Sequence, residues 1–158
     1  MTRQQGFTMV ELVMVIIILG VLAVAALPSM TGNSAFSGSA FRSEVVSALR
    51  YAQKSAVSHR RLVCATLTAS TLTLTIASAN PATSCATHLA SPDGTAYQSR
   101  DSSVTASGDP LTSGLFFQPS GTVTTNGAGT TLVAGNAGKL SITGQTDIKI
   151  EGATGYVE

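Results

Sequence analysis

Apolar positions are concentrated in one run near the start of the chain. Residues 7–27 contain a single charged side chain, Glu11, and from Leu12 to Leu27 no further charge interrupts the run. A helix over these residues, rising about 1.5 Å per residue, would be roughly 30 Å long, which matches the hydrocarbon core of a bilayer. The pattern predicts a membrane-spanning helix with no polar face. Because residues 1–6 carry Arg3 and the start amine, we expect the N-terminus to remain cytoplasmic and the rest to be exported.

A second helix is predicted further along, where apolar residues recur at steps of three and four. Arg42, Glu44, Arg50 and Lys54 fall mostly on other faces of this helix. We expect the apolar face to pack on a sheet. Its members are Phe41, Val45, Leu49, Ala52 and Ala56.

Residues 28–38 separate the two helical patterns. They contain Pro28, Gly32, Asn33 and Gly38, which weaken or kink a helix without forbidding one. We expect a flexible joint here. A continuous helix from Phe7 to about His59 would be roughly 80 Å long.

The remainder of the chain favours β-structure. Apolar and polar residues alternate over short stretches, and glycines separate the later ones. Ala69-Ser70 is the expected tip of a hairpin, and residues 80–94, with two prolines and an Asp93-Gly94 turn, are an expected loop. The pattern predicts an α+β fold with antiparallel sheets. The expected strands are 62–67, 71–76, 115–117, 130–133, 139–142 and 147–150.

The start of the chain also carries a specific motif. Gly6-Phe7-Thr8-Met9-Val10-Glu11-Leu12 resembles the prepilin motif of type IV pilins and type II secretion pseudopilins. The resemblance implies a leader at residues 1–6, cleavage after Gly6 by a prepilin peptidase, and methylation of the new amino group on Phe7. It implies that residues 7–27 first anchor the protein in the inner membrane, at an assembly platform, and later pack with other pilin subunits inside a filament. Glu11 would meet the positive N-terminus of a neighbouring subunit.

Two plainer interpretations of the apolar run remain open. A secretory signal peptide could end near Ala23, Ala25 or Ala26, but Glu11 interrupts the run and Pro28 follows it at once. An uncleaved membrane anchor is the second. Glu11 would then be a charge tolerated close to the membrane interface, where its insertion costs less than the about 2.5 to 3.5 kcal/mol expected at the bilayer centre.

The exported part, residues 39–158, extends the resemblance to a subfamily. Residues 117–121 and 153–157 resemble the domain of GspH- and FimT-type minor pseudopilins, while residues 48–54, 60–64 and 92–97 resemble the MshC minor pilins of mannose-sensitive haemagglutinin (MSHA) pili. The resemblance implies a type IV pilin or GspH-like fold and a minor pilin that acts in pilus assembly near the tip. The alternatives are a type II secretion pseudopilin and a FimT-like pilin for DNA uptake.

Cys64 and Cys85 are the only cysteines. In an exported chain, two cysteines about twenty residues apart predict one disulfide. Metal binding is disfavoured, because there is no CxxC spacing and His59 and His88 are the only histidines. We expect no metal and no other cofactor.

Neither catalysis nor DNA binding is favoured by the remaining residues. The sequence has no Gly-x-Ser-x-Gly, HExxH or phosphate-binding loop, so we expect no enzyme. FimT-type pilins that bind DNA use arginines near the carboxy-terminus, whereas the corresponding part of this chain has only Lys139 and Lys149 as basic residues. The net charge of +1 indicates no polyanion-binding domain. We interpret the remaining basic residues as a solvated face: Arg42, Arg50, Lys54, Arg60 and Arg61.

Overall fold

The computed structural model describes residues 8–26 and 34–158. These residues belong to two compact units, which divide between Asn33 and Ser34. The predicted leader 1–6, the cleavage junction Gly6–Phe7, Leu27 and the predicted joint up to residue 33 lie outside the described residues.

The first unit contains one helix, α1, Met9–Ala26. Apart from Glu11 and Gly20 its residues carry apolar side chains, and it contains no proline, the residue that most strongly breaks a helix. The apolar run of the sequence extends past both ends of α1 into residues that are not described. Among the residues that are described, the chain has no helix with both the length and the apolar character needed to cross a membrane.

The second unit begins with α2, Ser34–His59. All five residues of the predicted apolar face are buried in it, which confirms that face. The predicted joint differs from the structure at residues 34–38, which are helical. Gly38 is tolerated there because it lies against the backbone of Thr143, where an added Cβ would come within 3.0 Å of the carbonyl oxygen. α1 and α2 both fall within the span 7–59 considered for one long helix, and residues 27–33 between them are not described.

Nine short strands, one short α-helix and one 3-10 helix, Gly135–Gly138, follow α2 in the described residues. The strands make two sheets. They form a six-stranded antiparallel sheet in the order β3-β2-β1-β6-β7, with β4 also paired to β2, and a three-stranded antiparallel sheet in the order β5-β8-β9. The predicted α+β class is therefore confirmed. The elements are β1 Val63–Leu67, β2 Thr71–Ile76, β3 Thr87–His88, β4 Tyr97–Gln98, β5 Ala106–Ser107, α3 Pro110–Ser113, β6 Leu115–Phe117, β7 Val123–Thr124, β8 Lys139–Ile142 and β9 Ile148–Lys149.

Three of the sequence-based strand predictions match the structure closely. β2, β6 and β8 have the predicted bounds, and β1 starts one residue later than expected. β1 pairs with β2 in an antiparallel register that sets Leu67 opposite Leu72, and the Thr68 N–H donates to the Thr71 carbonyl oxygen at 2.8 Å. Ala69-Ser70 is therefore the tip of the hairpin, as predicted. The last predicted strand, 147–150, is shorter, because β9 covers only Ile148–Lys149.

Two predictions need correction. Residues 130–133 form no strand, only a single bridge between Leu132 and Thr124. The Asn126 side chain accounts for this, because its amide nitrogen donates to Thr130 Oγ1 at 2.8 Å while its oxygen accepts from the Thr130 backbone N–H at 3.1 Å, and such local bonds compete with a ladder. The predicted loop 80–94 contains β3, which pairs with the end of β2.

The core lies between α2 and the two sheets. It joins the inward residues of α2, such as Val45 and Leu49, to Phe117 of β6, Leu140 of β8 and Ile148 of β9, all of which are almost completely buried. A smaller cluster on the opposite face of β1 contains Leu62, Cys64 and Ala77, with Phe116 and Cys85 packed against it.

Candidate functional site

The first turn of α1 positions Glu11. Thr8 precedes the helix, and its carbonyl oxygen accepts from the backbone N–H groups of Glu11 at 3.1 Å and Leu12 at 3.2 Å. Its hydroxyl oxygen also accepts from the Glu11 N–H at 3.3 Å. Thr8 therefore caps the helix, and Glu11 occupies the third helical position, where a carboxylate also interacts favourably with the positive end of the helix dipole.

This cap was missed in the sequence-based interpretation, although its signal is visible. Thr8-Met9-Val10-Glu11 has the T-x-x-E spacing of a capping box ahead of an apolar run. Glu11 thus has a structural setting of its own, in addition to the assembly role that the motif implies. An experiment on Glu11 must separate the two.

Beyond Glu11, the described part of α1 presents only apolar surface. Twelve of its large apolar side chains are between 45% and 83% exposed within the chain. Because these residues surround the helix, no single face of a globular domain could cover them all, and such a surface requires lipid or other helices around it. They are Met9, Val10, Leu12, Val13, Met14, Val15, Ile16, Ile17, Ile18, Leu19, Val21 and Leu22.

In the second unit, Cys64 and Cys85 form a disulfide with a Cα–Cα distance of 6.0 Å. Cys64 lies on β1, so the bond fastens the loop after β2 over the outer face of the six-stranded sheet. The loop also packs tightly elsewhere, because a Cβ added to Gly127 would fall 1.8 Å from the Thr83 carbonyl oxygen. The predicted pairing is present, and it holds the small cluster around Leu62 and Phe116 in place.

Removing this disulfide should destabilise the second unit. A chain with Cys64→Ala and Cys85→Ala is expected to lose about 3 kcal/mol in free energy of unfolding, because the loop between the cysteines is no longer closed in the unfolded state. Denaturant titration of the full-length protein in detergent, followed by near-ultraviolet circular dichroism, measures the change. Ser84→Ala, in the same loop, is the control. An unchanged midpoint in the double variant would contradict the role assigned to the bond.

Two of the five basic residues singled out in the sequence are used inside the fold. Arg42 Nε donates to the Thr146 carbonyl oxygen at 2.9 Å, and Arg50 donates through Nε and Nη2 to the Val157 carbonyl oxygen at 3.1 and 2.8 Å. Both arginines therefore hold later segments of the chain against α2. Lys54, Arg60 and Arg61 are exposed.

Three aspartates have a lowered pKa because of local contacts within the fold. A hydrogen bond from the Ser141 hydroxyl, with the Lys139 ammonium 2.9 Å away, lowers the pKa of Asp147. Hydrogen bonds from Ser91 and Thr95 lower the pKa of Asp93, and bonds from Ser103 lower that of Asp101. Each carboxylate therefore remains charged at neutral pH. The hydrogen bonds of a turn, or an ion pair, account for each lowered pKa.

Neither histidine belongs to a recognisable catalytic or metal-binding arrangement within the described residues. His59 ends α2, and His88 lies on β3 opposite Thr75. Within residues 8–26 and 34–158, no three histidine, cysteine or acidic side chains lie close enough together to hold a metal ion.

Comparison with protein families identifies the start of the chain. Residues 1–27 match the family described as "Prokaryotic N-terminal methylation motif". Comparisons with curated proteins and with solved structures found no match. The motif is the signal of type IV pilins and pseudopilins, which are structural subunits, and it implies a membrane-anchored, pilus-associated protein. Together with the α+β fold, it supports a type IV pilin-like or pseudopilin protein.

Proposed function

We propose that this protein is a minor pilin of a type IV pilus of the MSHA type, processed after Gly6 and methylated on Phe7. The observation that carries the proposal is the methylation motif at residues 1–27, combined with a helix whose large apolar side chains are exposed all round. A role near the tip, in initiating assembly, is supported by the resemblance of residues 117–121 and 153–157 to GspH-type minor subunits.

The mechanism is assembly rather than catalysis. Before assembly, the run 7–27 would lie in the inner membrane as a single pass, with the second unit in the periplasm. During assembly, the same side chains would exchange lipid for the helices of neighbouring pilins, which costs little because both surroundings are apolar. The carboxylate of Glu11 would pair with the amino group of a neighbouring Phe7, and this pairing would set the register between subunits.

The partners follow from this sequence of events. They are the prepilin peptidase, the inner-membrane assembly platform, and other pilin and minor pilin subunits. A pseudopilin of a type II secretion system is the second candidate, because the motif at 117–121 resembles both kinds of subunit. DNA uptake is less well supported, because Arg42 and Arg50 donate to carbonyl groups of the fold.

The mature N-terminus tests the proposal. The full chain should be recovered from a native membrane or sheared-filament fraction, and its intact mass and first residue determined. We expect a chain that begins at methylated Phe7. A chain that begins after Ala26, or one that retains Met1, would overturn the filament mechanism in favour of simple secretion or a plain anchor.

A further inference from the structure

A groove of about 540 Å³ lies in the second unit, between α2 and residues 91–100, which include β4. We call it the α2–β4 groove. Ligand sites for small molecules in proteins usually have volumes of about 300 to 1,000 Å³. The groove is therefore large enough to hold a small molecule.

The two walls of the groove run alongside each other, which makes it elongated. Pro92 and Tyr51 also line a neighbouring cavity together, so the start of residues 91–100 lies beside Tyr51. At the other end of this segment, Arg100 Nη2 lies 3.8 Å from the Glu44 carboxylate. The segment therefore follows α2 from Tyr51 towards Glu44, and these two helix residues are about 10 Å apart along the helix axis.

Glu44 supplies one carboxylate of the groove. It is half-buried, and its ion pair with Arg100 is weak, because the contact is long and the Arg100 side chain is 85% exposed. A cationic group can therefore take the place of Arg100 beside Glu44. The arginines and the lysine of α2 line the neighbouring cavity and not this groove; they are Arg42, Arg50 and Lys54.

Asp93 supplies the second carboxylate. It follows Pro92, so it lies towards the Tyr51 end of the groove. A hydrogen bond from the Ser91 hydroxyl and one from the Thr95 N–H, at 3.1 Å, lower the pKa of Asp93, which is therefore charged at neutral pH. The groove thus has negative charges towards two ends that are about 10 Å apart.

Aromatic surface lies between the two carboxylates. Tyr51 on α2 and Tyr97 on β4 both line the groove, and both are half-buried. Aromatic rings attract cations and also bury methylene groups. A ligand that fits carries two separated positive charges joined by an apolar chain. Linear aliphatic polyamines have this structure, and with bonds of about 1.5 Å an extended spermidine measures about 11 Å between its terminal nitrogens.

We propose that the α2–β4 groove binds a linear aliphatic polyamine of about the length of spermidine. One terminal ammonium group pairs with Asp93, and the other replaces Arg100 beside Glu44. The methylene chain lies against Tyr51 and Tyr97. This inference goes beyond the proposed function and does not depend on it, because every residue that it uses belongs to the second unit.

Calorimetric titration of the full-length protein in a non-ionic detergent tests the ligand. We expect spermidine and 1,8-diaminooctane, which have similar lengths, to bind with dissociation constants below about 1 mM. Putrescine carries the same two charges as 1,8-diaminooctane but spans only about 6 Å, so it reaches one carboxylate and should bind at least about tenfold more weakly. 1,8-Octanediol has the length without the charges, and we expect no binding.

Single substitutions test the site. Glu44→Gln and Asp93→Asn should each weaken spermidine binding at least about fivefold, because each removes one ionic partner. Arg100→Gln should tighten it about threefold, because the competing cation is gone. A substitution that only loosened the fold would not tighten binding. Glu151→Gln makes the same exchange at an exposed carboxylate outside the groove, and it should leave the affinity unchanged.

Each outcome decides the inference. The preference for the longer amines, together with opposite effects of Glu44→Gln and Arg100→Gln, supports it. Absence of spermidine binding, equal affinities for putrescine and 1,8-diaminooctane, or binding of 1,8-octanediol would overturn it. An equal loss in Glu151→Gln, or weaker binding in Arg100→Gln, would also overturn it, since either result would mean that the amines bind to negative charge elsewhere on the protein.

Discussion

A Gly6→Val chain is expected to keep its precursor mass, with residues 1–6 still attached. The peptidase must reach the backbone on the carboxyl side of residue 6, and glycine alone leaves that backbone without a side chain. Intact mass spectrometry of the membrane fraction measures the result directly, because cleavage removes the whole leader and methylation adds one methyl group.

The matched control for this experiment lies within α1. Gly20 has nothing within 4 Å of the position that a Cβ would occupy, so Gly20→Val adds the same side chain without a clash in the described structure. It should be processed normally. A shortened, methylated product from the Gly6→Val chain would reject the assignment of the cleavage site.

A Glu11→Val chain should insert into the membrane at least as well as the unchanged protein but fail to enter filaments. Removing the one charge of α1 lowers the cost of insertion. It also removes the partner of the neighbouring amino group, and an ion pair at about 4 Å in an effective dielectric of about 20 is worth roughly 4 kcal/mol. We therefore expect incorporation to fall by more than about tenfold, measured as the ratio of the protein in sheared filaments to that in membranes.

Two further variants separate assembly from helix capping. Thr8→Ala removes the hydroxyl that accepts from the Glu11 N–H but leaves the carboxylate, at a cost to the helix of about 1 kcal/mol. Glu11→Gln keeps the size and polarity of the side chain but not its charge. If incorporation follows the charge, Thr8→Ala should enter filaments and Glu11→Gln should not. If Thr8→Ala and Glu11→Val lose similar amounts of filament incorporation, the helix cap and not the charge of Glu11 is required for incorporation.

The sequence predicted those elements in which a local pattern and the tertiary environment agree. In β2, threonines alternate with Leu72 and Leu74, and the leucines are buried while Thr73 is exposed. The apolar face of α2 was predicted for the same reason, since its residues all pack on the sheets. Periodicity is informative when one face is buried over a whole element.

Elements of two residues are too short to show a period. β3, β4 and β5 exist because they lie beside longer strands that supply hydrogen-bonding partners, as β2 does for Tyr97 and His88. Residues 130–133 show the opposite error, since a strand-like pattern was overridden by the side-chain bonds of Asn126. The motif within residues 1–27 could be recognised because its order of residues is specific to one family of signals, whereas the contacts of Arg42 and Arg50 with later carbonyl groups depend on which distant residues the fold brings together.

In the filament that we propose, the disulfide would have a mechanical consequence. Cys64 and Cys85 are 21 residues apart, and the segment between them contains the rest of β1 and the whole of β2. If tension unravels the domain, this segment stays closed as a covalent ring. At roughly 3.3 to 3.6 Å per extended residue, the ring withholds about 70 Å of contour length from the pulled chain. A subunit that unfolds under tension would therefore lengthen less than the full contour length of its chain.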